Sequence, residues 1–362
     1  MKKVNEISGF EYGILIYFII RSMSLGISIN SYIHIGGVDG YLSPIIGMII
    51  GIIPLYIFLK IFNYKEELNI YEKIDYLFGK KIGSIINIIL SLFIFFLILI
   101  AFFNLINFIS SQYLFRTSNL YVAILFGICF IYTCTKKINV LVRAANLLFY
   151  ISVIIFLICV MGLIENIRID NIKPFLEHGI KPPLISGISH VAYTILPLFI
   201  LLMIPKKRIK NSNNINKFII IFYLIANIGK FTTIFYTISS FGIDLAKLYE
   251  FPDFVLLRRI STTGFFQRFE SILAIQWIFD LYMIISMCFF YLKFAYKHMI
   301  NNKYDNKFIT ITILISCVIC SNFLFKSNTS ADTFILYYLP FILGIFLFLI
   351  PLIIFIRIKK TT

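Results

Sequence analysis

Charge is what this 362-residue chain has least of. Asp, Glu, Lys and Arg make up 14% of it, against 60% hydrophobic residues and a mean hydropathy of +0.92. A soluble domain is about half apolar and about a quarter charged. The composition therefore excludes a soluble fold and describes an integral membrane protein. Acids are scarcer than bases, 17 against 33, for a net charge of +16. That surplus does not point to nucleic acid, because no basic helix or aromatic nucleic-acid motif is present. The cations stand in short clusters between apolar runs, the way cytoplasmic loops are marked. A small-residue cleavage site is also missing behind the first apolar run. That run carries Glu11 and Arg21 and is expected to be a retained span. There is no P-loop, zinc signature or nucleophile elbow. Cys317 and Cys320 have CxxC spacing, but no second ligand pair accompanies them. The cysteines are expected to pack as small hydrophobes. Neither enzymatic chemistry nor a cofactor is expected.

What is abundant is apolar sequence in runs of about 20 residues, enough to cross a bilayer. The runs fall near 10–35, 41–61, 82–114, 120–135, 140–164, 184–205, 218–241, 269–296, 307–325 and 333–356. With the N-terminus inside, 22 Lys and Arg residues lie on inside segments and 9 on outside segments, while Arg21 and Lys230 remain within spans. That bias supports about ten transmembrane helices with both termini cytoplasmic.

Two of the runs are unusually polar. Residues 19–37, IIRSMSLGISINSYIHIGG, hold Arg21, Ser22, Ser24, Gly26, Ser28 and Asn30. Residues 178–197, HGIKPPLISGISHVAYTILP, hold Pro182, Pro183, Gly187, His190, Thr194 and Pro197. They open the first and sixth spans, the matching first helices of two five-span halves. Interrupted helices at corresponding positions mark a five-plus-five inverted repeat with a site near the midplane. The expected architecture is all-α, LeuT-like, with helices 1 and 6 broken. It is one transmembrane domain over residues 1–362, with repeats of about 8–164 and 180–357. Small residues also serve helix–helix contacts, and for any single Ser or Gly that role stands beside the ligand role.

Ionisable groups inside the bilayer are costly and usually paired or cavity-lining. Arg21, Lys230 and Asp280 are deepest and form a candidate charge network. Which cation meets Asp280 is open, as is whether the network is structural or functional. Arg268 and Glu270 lie at the mouth of the eighth span, where charge is cheap. His190 reads as a satisfied polar residue or a ligand contact. Asn104 and Asn107 are one turn apart, with a shared interior facing.

Several stretches carry a resemblance: VDGYLSPIIG at 38–47, IYEKIDYLFGKKIGSIIN at 70–87, IKPFLEHGIKP at 172–182, LLMIPKK at 201–207, and FPDFVLLRRIS followed by FFQRFESILAIQWIF at 251–279. In their order the chain resembles the B subunits of spore germinant receptors. These are the endospore germination permeases of the amino acid–polyamine–organocation superfamily. The resemblance implies a transporter-like protein of the spore inner membrane that senses a germinant, often an amino acid. It implies a membrane A subunit and a lipoprotein C subunit as partners. It places a ligand pocket at Ser22, Ser24 and Gly26, Phe93 and Leu97, Thr194 and Leu196, and Ile284 and Cys288. It makes Arg268 and Glu270 part of an entry motif to the eighth helix. Two departures stand out. The latter half of the sixth span lacks the acid common in relatives, with Leu198 and Phe199 near that place. Arg21 replaces a commonly neutral polar residue. Both raise positive charge near the pocket and are expected to alter ligand class or ion coupling.

An amino acid permease of the same fold has the same site physics and is the alternative function. A membrane enzyme needs acid, His or Arg groups converging on one face. The outer loops at 165–183 and 242–268 carry Glu165, Asp170, Glu177, His178, Asp244, Glu250, Asp253, Arg258 and Arg259 without catalytic spacing. They are expected to be solvated loop charge.

Overall fold

The structure is a computed structural model, and it describes residues 7–210, 214–257, 269–300, 307–323 and 328–361. Apolar runs with no internal polar break become helices, because a backbone in lipid must satisfy its own hydrogen bonds. They are α1 (Gly9–Ser22), α2 (Gly26–His34), α3 (Gly37–Asn63), α4 (Ile70–Phe78), α5 (Lys80–Gln112), α6 (Asn119–Cys134), α7 (Ile138–Asn166), α8 (Lys181–Met203), α9 (Ile215–Phe241), α10 (Ile243–Lys247), α11 (Pro252–Leu257), α12 (Phe269–Met299), α13 (Lys307–Phe323) and α14 (Ser330–Thr361). Among the described residues 7 helices are long and apolar enough to cross a membrane, or 8 when α1 and α2 count as one bent span. The two remaining expected spans are shorter. α6 has 16 residues, and the apolar part of α13 is Ile311–Cys320. The protein is thus a multi-pass, helical membrane protein.

Local chemistry sets where helices begin and widen. Ser8 caps α1: its Oγ accepts from the Glu11 N–H at 3.2 Å, and Glu11 Oε2 accepts from the Ser8 N–H at 2.8 Å. This reciprocal pair occupies two donors that the first turn leaves free. Wide π-type turns at Val191–Ile195, Phe334–Tyr338 and Ile345–Leu349 each end two residues before a proline, namely Pro197, Pro340 and Pro351. A proline has no N–H and pushes away the carbonyl four residues back, so the helix absorbs the fault as a wider turn. The break between α1 and α2 has no proline. It is a 40° bend at the wide π-type turn Ser24–Ser28, where the Ser28 N–H donates to Met23 O at 3.0 Å.

α1 packs along α7, α9 and α12, at the centre of the bundle. Gly13 lets Phe222 of α9 lie where a side chain would stand, 2.2 Å from an added Cβ. α3 and α8 cross at Gly47 and Gly187, where a Cβ on Gly47 would meet Gly187 O at 2.7 Å. Small residues here permit close helix approach.

One face of the molecule gathers the basic clusters. Ile7 and Ser8 pair in parallel with Ile209 and Lys210. Lys206 and Lys207 pair with Glu66 and Glu67. His298 Nε2 lies 2.7 Å from Asp75 Oδ2. Tyr64 Oη and Thr361 Oγ1 are 3.5 Å apart. The start of α1 and the end of α14 therefore share a face, which makes the number of crossings even.

Candidate functional site

The bend in the first span supplies the site's backbone. Gly26 has φ +59°, a left-handed conformation that costs a side-chain-bearing residue energy. A Cβ there would also press on Phe251 at 2.9 Å and on Asn104 Oδ1 at 3.1 Å. Space and dihedral angle both require glycine at this position.

Below the bend lies the ionic layer. Arg21 Nε donates to Asp280 Oδ2 at 3.3 Å, with both side chains buried. The guanidinium also sits over the rings of Tyr17 and Phe156, at 5.4 and 5.5 Å from their centroids. The aromatic faces lower the cost of holding that charge in the bundle. Lys230 does not take Asp280; its Nζ donates to Ser28 Oγ at 2.9 Å, just above the bend. The question left open by the sequence is settled in favour of Arg21.

Above the bend a short loop closes over it. Glu250 O accepts from Asn30 Nδ2 at 3.0 Å, and Glu250 Oε1 accepts from Asn107 Nδ2 at 2.5 Å. Phe251 covers Gly26. Burial raises the Glu250 carboxyl above the usual range, Asp332 pushes the same way, and the Asn107 bond opposes them.

A third group ties the two polar segments together. Tyr32 Oη lies 2.5 Å from His190 Nδ1, and His190 Nε2 lies 2.7 Å from Asn227 Oδ1. Asn227 Nδ2 donates to Tyr223 O at 2.7 Å, so its Oδ1 faces the histidine. Nε2 must then carry the proton, and Nδ1 accepts from the tyrosine. His190 is the satisfied polar residue of the two readings.

Around this centre several fully buried polar atoms have no protein partner among the described residues. They are Asp280 Oδ1, both amide atoms of Gln276, Asn30 Oδ1 and Ser31 Oγ. Gln276 is one turn before Asp280 on α12 and shares its face. An unpartnered buried polar group costs about 1–3 kcal/mol, so these atoms, on α2 next to the bend and on α12 beside the ionic layer, mark a candidate polar binding region.

The other anticipated residues fall as follows. Ser22 Oγ donates to Ile19 O at 2.8 Å, and Thr194 Oγ1 donates to His190 O at 2.7 Å. Leu97, Leu196, Ile284 and Cys288 are buried. Phe93 stacks on Phe346 of α14, centroids 4.8 Å apart. Ser24 lies in the wide turn Ser24–Ser28, and Glu270 in the first turn of α12. Arg268 lies outside the described residues. One expectation is corrected for two residues. Asp253 is not solvated loop charge; it is 3% exposed, because α11 folds its chain back against α9 and α12. Glu250 is half-buried and held by Asn107. Asn30 was noted only as one of the polar residues of the first span; Gln276 and Phe251 were not anticipated, although FPDF places an acid between two aromatic residues, a sign of burial.

Comparison with known proteins gives the arrangement its context. Residues 7–331 match the family model described as spore germination protein, a spore permease family. The chain is similar to spore germination protein YndE of Bacillus subtilis (strain 168), 24% identical over 265 residues, covering 70% of this chain and 69% of that one. It is similar to spore germination protein KB of the same organism, 24% identical over 326 residues, covering 87% of each. It is also similar to spore germination protein XB of Bacillus anthracis, 24% identical over 331 residues, covering 90% of each. With the family model spanning most of its length and all of its bent-helix centre, this chain belongs to the spore germination permease family.

Proposed function

We propose that this protein is the B subunit of a spore germinant receptor. It binds a small germinant, an amino acid, and triggers germination together with a membrane A subunit and a lipoprotein C subunit. It resides in the spore inner membrane with both termini cytoplasmic, on the face that gathers Lys206, Lys207 and the end of α14. Its architecture in this reading is a LeuT-like five-plus-five inverted repeat, with halves of about 8–164 and 180–357 in one domain. The observation that carries the reading is the proline-free bend at Met23–Ser28, flanked by buried polar atoms without partners among the described residues, in a spore permease chain. In support, wide turns occur in both α1–α2 and α8, the first helices of the two halves.

The ligand lies along the bend. Ser22, Ser24 and Gly26 offer backbone groups, and Ser22 adds a hydroxyl. Phe93, Leu97, Thr194, Leu196, Ile284 and Cys288 complete the wall. A zwitterion suits the charges: Asp280 Oδ1 takes the ammonium, and Arg21 with Lys230 takes the carboxylate. Arg268 and Glu270 mark the outer entry to α12. Thermal stabilisation of the purified chain by a panel of amino acids tests this. Stabilisation by one or a few that is lost in Arg21→Gln is expected, and an unchanged preference in that variant would refute the assignment.

The buried ion pair serves an amino acid permease equally well, since a sensor is a transporter held in one state by its partners. Uptake of labelled amino acid by the chain expressed without other subunits would favour the permease.

A further inference from the structure

A mostly apolar pocket with a polar edge lies between α7 and α9 and beneath α11. Asp253 lines it. The side chain is 3% exposed, and neither carboxylate oxygen has a hydrogen-bond partner among the described residues. Burial lifts this carboxyl to about 7, opposed by the amides of Asp253 and Phe254 and by the charges of Lys230 and Arg21. Those two cations act on it only from a distance: Arg21 is taken by Asp280 and Lys230 by Ser28.

Cys159, Tyr236 and three threonines share the lining, and the threonine protons are already committed. Thr232 Oγ1 donates to Ile228 O at 2.9 Å, Thr233 Oγ1 to Gly229 O at 3.0 Å, and Thr237 Oγ1 to Thr233 O at 2.9 Å. A hydroxyl that has given its proton to a helix carbonyl presents only lone pairs. These groups therefore accept and do not donate, with a carboxylate among them. The remaining wall is apolar, with Phe156 and Leu163 of α7. A buried carboxylate beside threonine acceptors, with an apolar wall, calls for a donor-rich cation bearing a short hydrocarbon body.

We propose that this pocket is a second ligand site, taking a primary ammonium group with a short alkyl body against Asp253, Thr233 and Thr237. It does not depend on the germinant reading, since its occupant and the zwitterion at the bend are bound by different residues. No covalent step is involved.

The chain's single tryptophan makes the test direct. Trp277 packs on Phe254, the residue after Asp253, with ring centroids 5.9 Å apart, so its fluorescence reports on α11. Purified full-length protein is titrated at about pH 8, where the Asp253 carboxyl is mostly ionised, with ethylammonium chloride. Sodium chloride and tetramethylammonium chloride, a cation without N–H donors, serve as controls. A saturable change with ethylammonium alone is expected. It should weaken at least about tenfold in Asp253→Asn, which keeps the shape and loses the charge, and a few-fold in Thr237→Val. No saturable change, an identical titration in both variants, or an equal response to sodium or tetramethylammonium would overturn the proposal. Repeating the titration in nanodiscs with and without phosphatidylethanolamine identifies the source. Competition by that lipid assigns the site to a lipid headgroup, and its absence assigns it to a soluble amine.

Discussion

Arg21 and Asp280, separated by 259 positions, meet through one contact of 3.3 Å between Nε and Oδ2. Asp280 Oδ1 is left without a protein partner among the described residues. The pair is thus half-satisfied on its acidic side, which suits a group that also receives a ligand's ammonium. Removing one partner of a buried pair leaves an uncompensated charge and costs about 3–5 kcal/mol. Asp280→Asn and Arg21→Gln are each expected to lower the thermal midpoint of the purified protein. The double variant Arg21→Met with Asp280→Leu should lose less than the two single changes combined. Additive losses would mean that the two residues do not act as a pair.

Gly26 is held by two constraints at once, φ +59° and the Phe251 ring. Gly26→Ala is expected to destabilise by about 1–3 kcal/mol. Adding Phe251→Ala should recover only the steric part, because the dihedral strain remains. Full recovery would show that the left-handed backbone is not required.

His190 connects α2, α8 and α9 through Tyr32 and Asn227. His190→Phe keeps the volume but strips partners from two buried groups, with an expected cost of about 2–4 kcal/mol. Tyr32→Phe in the same background should then cost almost nothing further. Thermal unfolding of the four proteins in the cycle checks the coupling.

Lys73 of α4 donates to Ile61 O and Phe62 O at the end of α3, at 2.8 and 3.2 Å. Burial lowers its ammonium to about 8, with Glu66 pulling it up. An unfolded lysine holds its proton to about 10.4. Between these values unfolding takes up a proton, so the penalty present below about pH 8 is relieved as pH rises. Wild type should gain stability relative to Lys73→Met from about pH 7 to about pH 10. A difference independent of pH would contradict a strained cation at this position.

Helices were legible because apolar runs of that length have few other options, and Arg21, Lys230 and Asp280 stood out as charges within them. Their partners did not, since contacts across 259 and 202 positions leave no local trace. Proline-linked wide turns in α8 and α14 follow from local chemistry and could be read. The bend at Gly26 could only be guessed at, because Ser- and Gly-rich stretches also serve packing. Glu250 and Asp253 were misplaced as solvated for a physical reason. A loop's burial depends on whether it folds back on the bundle, and hydropathy reports composition alone. α6 keeps the short run at 120–135 that the sequence shows, and α13 is described over Lys307–Phe323.

Germination of spores lacking this gene, followed as loss of refractility across a panel of single amino acids, decides the matter. A selective loss of response to one or a few amino acids is expected, restored by the wild-type gene and not by Asp280→Asn. Unchanged germination on every amino acid, with reduced uptake of one of them by growing cells, would contradict the receptor assignment and point to a permease.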